Sequence, residues 1–171
     1  MASAYLLTGR PGTGKTTLIR QAVAGPEIKA GGFYTEEIRS SGVRQGFRII
    51  TLDGQQAILS HVDTHGRSRV GKYGVDINNL ETIGVAAIQQ AIDKSDLIVI
   101  DEIGKMELFS VRFREAVLQA INSSKKVLGT IMLKPNPFAD DIKHLPGVKV
   151  VEVTRNNHSQ VLAEIKNWLN I

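Results

Sequence analysis

Apolar residues fall along this chain in two alternating kinds of segment. Short runs of strand length recur at positions 4–7, 32–38, 47–52, 56–59, 97–100, 127–132 and 148–153. Between and after them, apolar positions repeat at helical spacing. Phe109, Phe113, Ala116, Val117, Ala120 and Ile121 form one such stripe, and Val161, Leu162, Ile165, Trp168 and Leu169 form another. A further helix is predicted to begin at Asn78, with Glu81 three positions on as its capping partner and Leu80, Ile83, Ala87 and Ala91 as its buried stripe. The alternation predicts an α/β fold with a central, mostly parallel sheet flanked by helices. Residues 31–59 depart from it, because closely spaced strands without a helical pattern between them predict an inserted β-hairpin region. No repeat or linker-like stretch divides the sequence, so one domain spanning residues 1–171 is expected.

The first apolar run, Ala4-Tyr5-Leu6-Leu7, leads into Gly9-Arg10-Pro11-Gly12-Thr13-Gly14-Lys15-Thr16, and a helical pattern follows from Thr17. This fills every fixed position of the phosphate-binding pattern G-x-x-x-x-G-K-[ST], in the strand, loop and helix order the pattern requires. A polyphosphate needs many backbone N–H groups close to it, and Gly9, Gly12 and Gly14 permit that approach. Lys15 can reach the outer phosphates, Thr16 offers a hydroxyl to Mg²⁺, and the helix that follows directs its positive end at the anion.

A second segment complements the first. The continuous aliphatic run Leu97-Ile98-Val99-Ile100 reads as a strand covered on both faces, and it ends in Asp101 and Glu102, followed by Ile103 and Gly104. Ligands of parallel sheets collect beyond the carboxyl ends of the strands, where the phosphate loop also lies. The two acids there divide two tasks: Asp101 serves Mg²⁺, and Glu102 orients and deprotonates an attacking water.

The composition narrows the setting without changing the reading. The 171 residues are 42% hydrophobic, enough to bury one core. No apolar run reaches transmembrane length and no leader pattern opens the chain, so a cytoplasmic protein without membrane attachment is expected. Cysteine is absent, which excludes disulfides, thiolate metal sites and cysteine nucleophiles. The net charge of +4 is compatible with nucleic acid as a partner, but the lysines and arginines are interspersed with acids and form no basic cluster. The oligomeric state is not encoded in any of these patterns.

The segment Asp101-Glu102-Ile103-Gly104-Lys105-Met106-Glu107-Leu108 resembles the signature of the small P-loop nucleoside-triphosphatase family that includes thermophile-type and cancer-related nucleoside-triphosphatases. Residues 31–39 and 70–76 are also similar to segments of that family. The resemblance implies a RecA-like domain and Mg²⁺-dependent hydrolysis of ATP, GTP and other nucleoside triphosphates with broad base tolerance. It implies nucleotide contacts at residues 9–16 and 97–104. The chain departs from the family in Thr154-Arg155-Asn156-Asn157-His158, where His158 stands at a position usually held by arginine.

Other residues carry weaker signals. Thr130 is read as a strand residue before a phosphate sensor. Arg39, Arg48, Arg69 and Lys72 are all cations that could neutralise transition-state charge, and spacing selects none of them; Lys72 and Lys105 read first as solvated surface. His61 and His65 flank Asp63 among turn-forming residues, a poor setting for a metal site. Phe33 and Tyr34 read as core before base-stacking groups. The leading expectation is a slow nucleoside-triphosphatase. Its rivals are a nucleoside or small-molecule kinase using the same loop, and a nucleotide-dependent, RNA-associated switch.

Overall fold

The structure, a computed structural model, describes residues 2–171. Nine strands join in one sheet in the order β5-β6-β4-β3-β2-β7-β8-β1-β9. Their ranges are β1 (Ala4–Thr8), β2 (Ala30–Ser40), β3 (Val43–Thr51), β4 (Gln56–His61), β5 (Arg69–Val70), β6 (Tyr73–Val75), β7 (Leu97–Ile103), β8 (Lys126–Ile131) and β9 (Val148–Glu152). The five from β2 to β9 at one end pair in parallel, whereas β2 to β6 pair antiparallel and extend the same sheet. The inserted hairpins are therefore an extension of the main sheet. The helices are α1 (Lys15–Ala22), α2 (Ile77–Asn79), α3 (Ala86–Lys94), α4 (Val111–Asn122), α5 (Pro137–Lys143) and α6 (His158–Leu169).

The parallel strands are buried on both faces, which is why they are aliphatic without a break. Alternate residues of β1 and β7 serve opposite layers. Ala4, Leu6, Ile98 and Ile100 join Phe113, Ala116 and Val117 of α4 and Ile88 of α3. Tyr5, Leu7, Leu97 and Val99 join Leu18 and Ile19 of α1 and Val161, Ile165 and Trp168 of α6. Phe33 and Phe113 meet edge to face at 6.3 Å between ring centroids.

Two expected helix patterns shift. The helical run after β6 is capped two residues earlier than Asn78, because the Asp76 carboxylate accepts the Asn79 N–H at 2.9 Å. A π-helical turn (Leu80–Val85) then joins α2 to α3 and inserts an extra residue into the helical spacing. The buried stripe is consequently Leu80, Gly84, Val85, Ile88 and Ala91, with Ile83 and Ala87 only partly covered. Glu81 accepts the Ser110 hydroxyl at 2.7 Å in place of capping its own helix. The second shift is at α4, which Ser110 caps through the Phe113 N–H at 3.0 Å, so Phe109 lies in a 3₁₀ turn (Glu107–Phe109) outside the stripe and is 40% exposed. Strands β5 and β6, of two and three residues, have no counterpart in the sequence pattern.

Phe113→Ala should lower unfolding free energy by about 3–5 kcal/mol, as removal of a fully buried ring does, while Phe109→Ala should change it by less than about 1 kcal/mol. Urea titration of the two variants checks the assignment, and equal losses would contradict it.

Candidate active site

Parallel pairing sets the site. Leu7 of β1 is registered with Thr130 of β8, and Ile100 of β7 with Gly129, so the phosphate loop, Thr130 and the acids after Ile100 all emerge at one edge of the sheet. Gly9 to Gly14 form the turn between β1 and α1. Gly12 and Gly14 adopt positive φ angles of 79° and 86°, a conformation that side chains rarely take. Gly14 occupies the N-cap of α1, and no side chain caps this helix. The first intrahelical bond runs from Leu18 N–H to Gly14 carbonyl, so the N–H groups of Lys15, Thr16 and Thr17 have no acceptor within the helix. They form the positive end of the helix dipole.

The side chains converge from separate elements. The Thr16 hydroxyl donates to one Asp101 carboxylate oxygen at 2.5 Å, and the Thr130 hydroxyl donates to the other at 2.7 Å. Asp101 and Thr130 are buried, at 3% and 1% exposure. Burial pushes the Asp101 carboxyl above its ordinary range, while the two hydroxyls and the charges of Lys15 and Arg20 pull it back. Lys15 crosses over the loop, its ammonium donating to the carbonyls of Gly9 at 3.0 Å and Arg10 at 2.9 Å. Glu102 is partly covered beside Asp101. Burial, and then the Asp101 charge, push its carboxyl up to about 7, with Lys15 acting in the other direction.

Glu107, which carries no signal of its own in the sequence beyond the motif it belongs to, is buried at 3% exposure. Burial first, and the Glu102 charge second, raise it well above the usual carboxylate range; backbone hydrogen bonds at Glu107 and Gly104 act against that. Thr130 belongs to the site in a role that the sequence did not reveal, as a holder of Asp101. His158 is the other such residue: its Nε2–H donates to the Thr13 carbonyl, which ties the start of α6 to the phosphate loop. Beside this contact, Arg10, Pro11, Thr13, Glu152, Val153, Thr154 and Arg155 line an open cavity of about 450 Å³.

The arginines read as possible charge-neutralising groups lie in the antiparallel extension. Arg39 pairs with Glu37 at 2.6 Å, Arg48 faces Glu36 at 3.6 Å, and Arg69 donates to the carbonyls of Thr64 and Lys72, all within the antiparallel extension. Lys72 and Lys105 are exposed. Phe33 and Tyr34 are both core, and Tyr34 also lies under the Arg20 guanidinium at 4.6 Å. His61 accepts the Asp63 N–H at 3.1 Å in a turn, and no group of three or more histidine, cysteine, aspartate or glutamate residues is arranged to hold a metal among the described residues. No helix of the described residues is long and apolar enough to cross a membrane.

An uncapped helix preceded by a glycine loop, facing a buried aspartate that is bonded to the hydroxyl after the loop lysine, defines a P-loop nucleotide-binding α/β protein. The comparisons narrow that class. A model of the NTPase family matches residues 4–166, and the chain belongs to this family of NTPases. It is 49% identical over 160 residues to nucleoside-triphosphatase THEP1 of Thermotoga petrophila, covering 94% of this chain and 89% of the relative. It is 39% identical over 181 residues to the cancer-related nucleoside-triphosphatase of Homo sapiens, covering 96% and 95% of the two chains. The crystal structure of THEP1 from the hyperthermophile Aquifex aeolicus superposes with a TM-score of 0.89 at 37% identity, covering 98% of this chain and 99% of that one.

The raised Glu102 carboxyl has a stability consequence. The folded protein holds this proton more tightly than the unfolded chain, so the group lowers stability progressively as pH rises from about 4.5 to about 7, and fully above that. Glu102→Gln should therefore raise the melting temperature by several degrees at about pH 8 and by little at about pH 4.5. Melting curves at both pH values, without nucleotide, check this; an equal shift at both would exclude a raised carboxyl.

Proposed function

We propose that this NTPase hydrolyses nucleoside triphosphates to diphosphate and phosphate by Mg²⁺-assisted attack of water, slowly and with little choice among bases. One observation carries the reading: Thr16 and Asp101, 85 residues apart in sequence, place two oxygens 2.5 Å apart at the uncapped start of α1, with Glu102 next to them. A hydroxyl and a carboxylate are hard oxygen donors, the type that Mg²⁺ takes in small number alongside substrate phosphates, so Thr16 and Asp101 fit it. Bound there, Mg²⁺ would neutralise charge on the outer phosphates.

The rest follows from the chain's own groups. The loop N–H groups and the start of α1 bind the phosphates, and the Lys15 ammonium exchanges its loop carbonyls for phosphate oxygens. Thr130 keeps the Asp101 carboxylate turned toward Thr16. Glu102 accepts a proton from the water as its oxygen bonds to the γ-phosphorus and the bond to the bridging oxygen breaks, with the electron pair leaving on the diphosphate. A carboxyl at about 7 suits a base at neutral pH.

Base tolerance is supported by the open cavity beside the loop. Of its lining residues only Val153 is buried, and the polar ones, Arg10, Thr13, Glu152, Thr154 and Arg155, are wholly or partly exposed. Strong rejection of a wrong base depends on buried polar groups left unpaired, which this lining lacks. Slow turnover is supported by the arginines of the extension being engaged there; P-loop enzymes without an arginine finger turn over at about 10⁻⁴ to 10⁻² per second. We place the whole reaction within one domain, because the loop strand and the acid strand share a single sheet. The lack of cysteine in the sequence suits the reducing cytoplasm as its location.

Phosphate release should be seen with ATP, GTP, CTP and UTP at comparable rates, and should stop when Mg²⁺ is chelated. Glu102→Gln should lose about 100-fold or more in kcat while still binding nucleotide. For the parent enzyme, kcat/KM should be full above pH 7 and fall about tenfold per unit below it, since the base works only when ionised. Parental turnover by Glu102→Gln would remove Glu102 from the mechanism, and phosphate appearing on an added acceptor instead of as free phosphate would make the enzyme a kinase.

A further inference from the structure

The phosphate loop is held at both ends by one short segment on the far side of the sequence. At its beginning, Val153 N–H donates to the Thr8 carbonyl at 2.8 Å, and a Cβ at Gly9 would meet the Val153 carbonyl oxygen at 2.6 Å. At its end, His158 donates to the Thr13 carbonyl, and a Cβ at Gly14 would meet the imidazole Cε1 at 2.8 Å. The residues between these points are tied to one another. Asn157 accepts the Thr154 N–H at 2.8 Å and donates to the Glu152 carbonyl at 2.9 Å, closing the turn that launches α6. The helix itself is fixed to the sheet by Val161, Ile165 and Trp168, and Trp168 Nε1 donates to the Ala2 carbonyl at 2.8 Å. The imidazole is thus delivered to the loop from the first turn of a helix whose inner face packs on the core.

The contact sets a direction. A trans peptide is planar, with its carbonyl and the next N–H pointing opposite ways. Among the described residues the sole cis bond is between Asp101 and Glu102, so the Thr13–Gly14 peptide is trans. Holding the Thr13 carbonyl toward α6 therefore turns the Gly14 N–H away from α6. A loop that wraps an anion needs its N–H groups inward and its carbonyls outward. A donor on the part-buried Thr13 carbonyl favours that orientation, and the imidazole supplies one.

We infer that His158 is a positioning residue for polyphosphate binding, which it serves by holding the Thr13 carbonyl so that the Gly14 N–H faces the phosphates. The neutral Nε2–H tautomer and the imidazolium both donate from this nitrogen, so the hydrogen bond itself does not depend on charge. The inference rests on the proposal that this loop binds the phosphates of a nucleotide.

Adenosine diphosphate binding, measured by calorimetry with Mg²⁺, tests it in four proteins: parent, Lys15→Ala, His158→Leu and His158→Gln. Leucine keeps bulk against Gly14 without a donor, and the glutamine amide donates from a similar reach. His158→Leu should weaken binding about tenfold, the scale of one misdirected hydrogen bond to a charged group. His158→Gln should recover to within about threefold of the parent. In hydrolysis, His158→Leu should raise KM more than it lowers kcat. Unfolding without nucleotide should show the variants intact; if His158→Leu does not fold, His158→Asn, whose amide is too short, replaces it. Parental affinity in His158→Leu, or equal losses in the leucine and glutamine variants, would overturn the role of His158 alone. Equal binding by parent and Lys15→Ala would overturn the phosphate site beneath it.

Discussion

Asp101 sits in the interior with both carboxylate oxygens occupied by threonine hydroxyls, one from the helix after the phosphate loop and one from the strand between. A carboxylate removed from water is costly unless it is hydrogen-bonded, so these contacts are conditions for the strand to end in an acid at all. They also fix distances that the fold would otherwise leave free. Thr130 ties β7 to β8, Thr16 ties β7 to α1, and the parallel register of β8 with β1 closes the circuit. A phosphate loop alone binds anions. Holding this carboxylate against Thr16 sets two oxygens beside the loop, which is the arrangement that the proposed cation-assisted hydrolysis uses.

The parallel half of the fold was legible because burial on both faces leaves a simple mark. Leu97 to Ile100 could not be so uniformly aliphatic on a sheet with one wet side. The phosphate loop was legible for a different reason, since its glycines, lysine and threonine answer to local backbone geometry. What failed to show was decided by choices between near neighbours or by distant contacts. Asp76 and Asn78 are both good caps by residue type, and the structure uses the first. The π-helical turn breaks the periodicity by which Ile83 and Ala87 were assigned to the buried stripe. Phe109 continues a helical pattern that Ser110 interrupts by capping α4.

The site was divided in the same manner. Asp101 and Glu102 stand out at the end of their strand, but Glu107 looks like any surface acid until the 3₁₀ turn folds it inward. Thr130 is an ordinary β-branched strand residue by pattern, and its bond to Asp101 depends on which strands are neighbours. His158 lies 145 residues from the carbonyl it holds. No local rule connects positions so separated; only the pairing of β9 with β1 does.

Three carboxyl groups, Asp101, Glu102 and Glu107, are gathered within seven residues of chain and burial raises each of them. Folding by itself gains nothing from that arrangement, and natural domains have only a small margin of stability to give up. Cationic charge bound among these groups would offset that cost, and would do so only in the folded chain. Three acids kept together in the interior thus make the folded state's stability a function of whatever cation they hold.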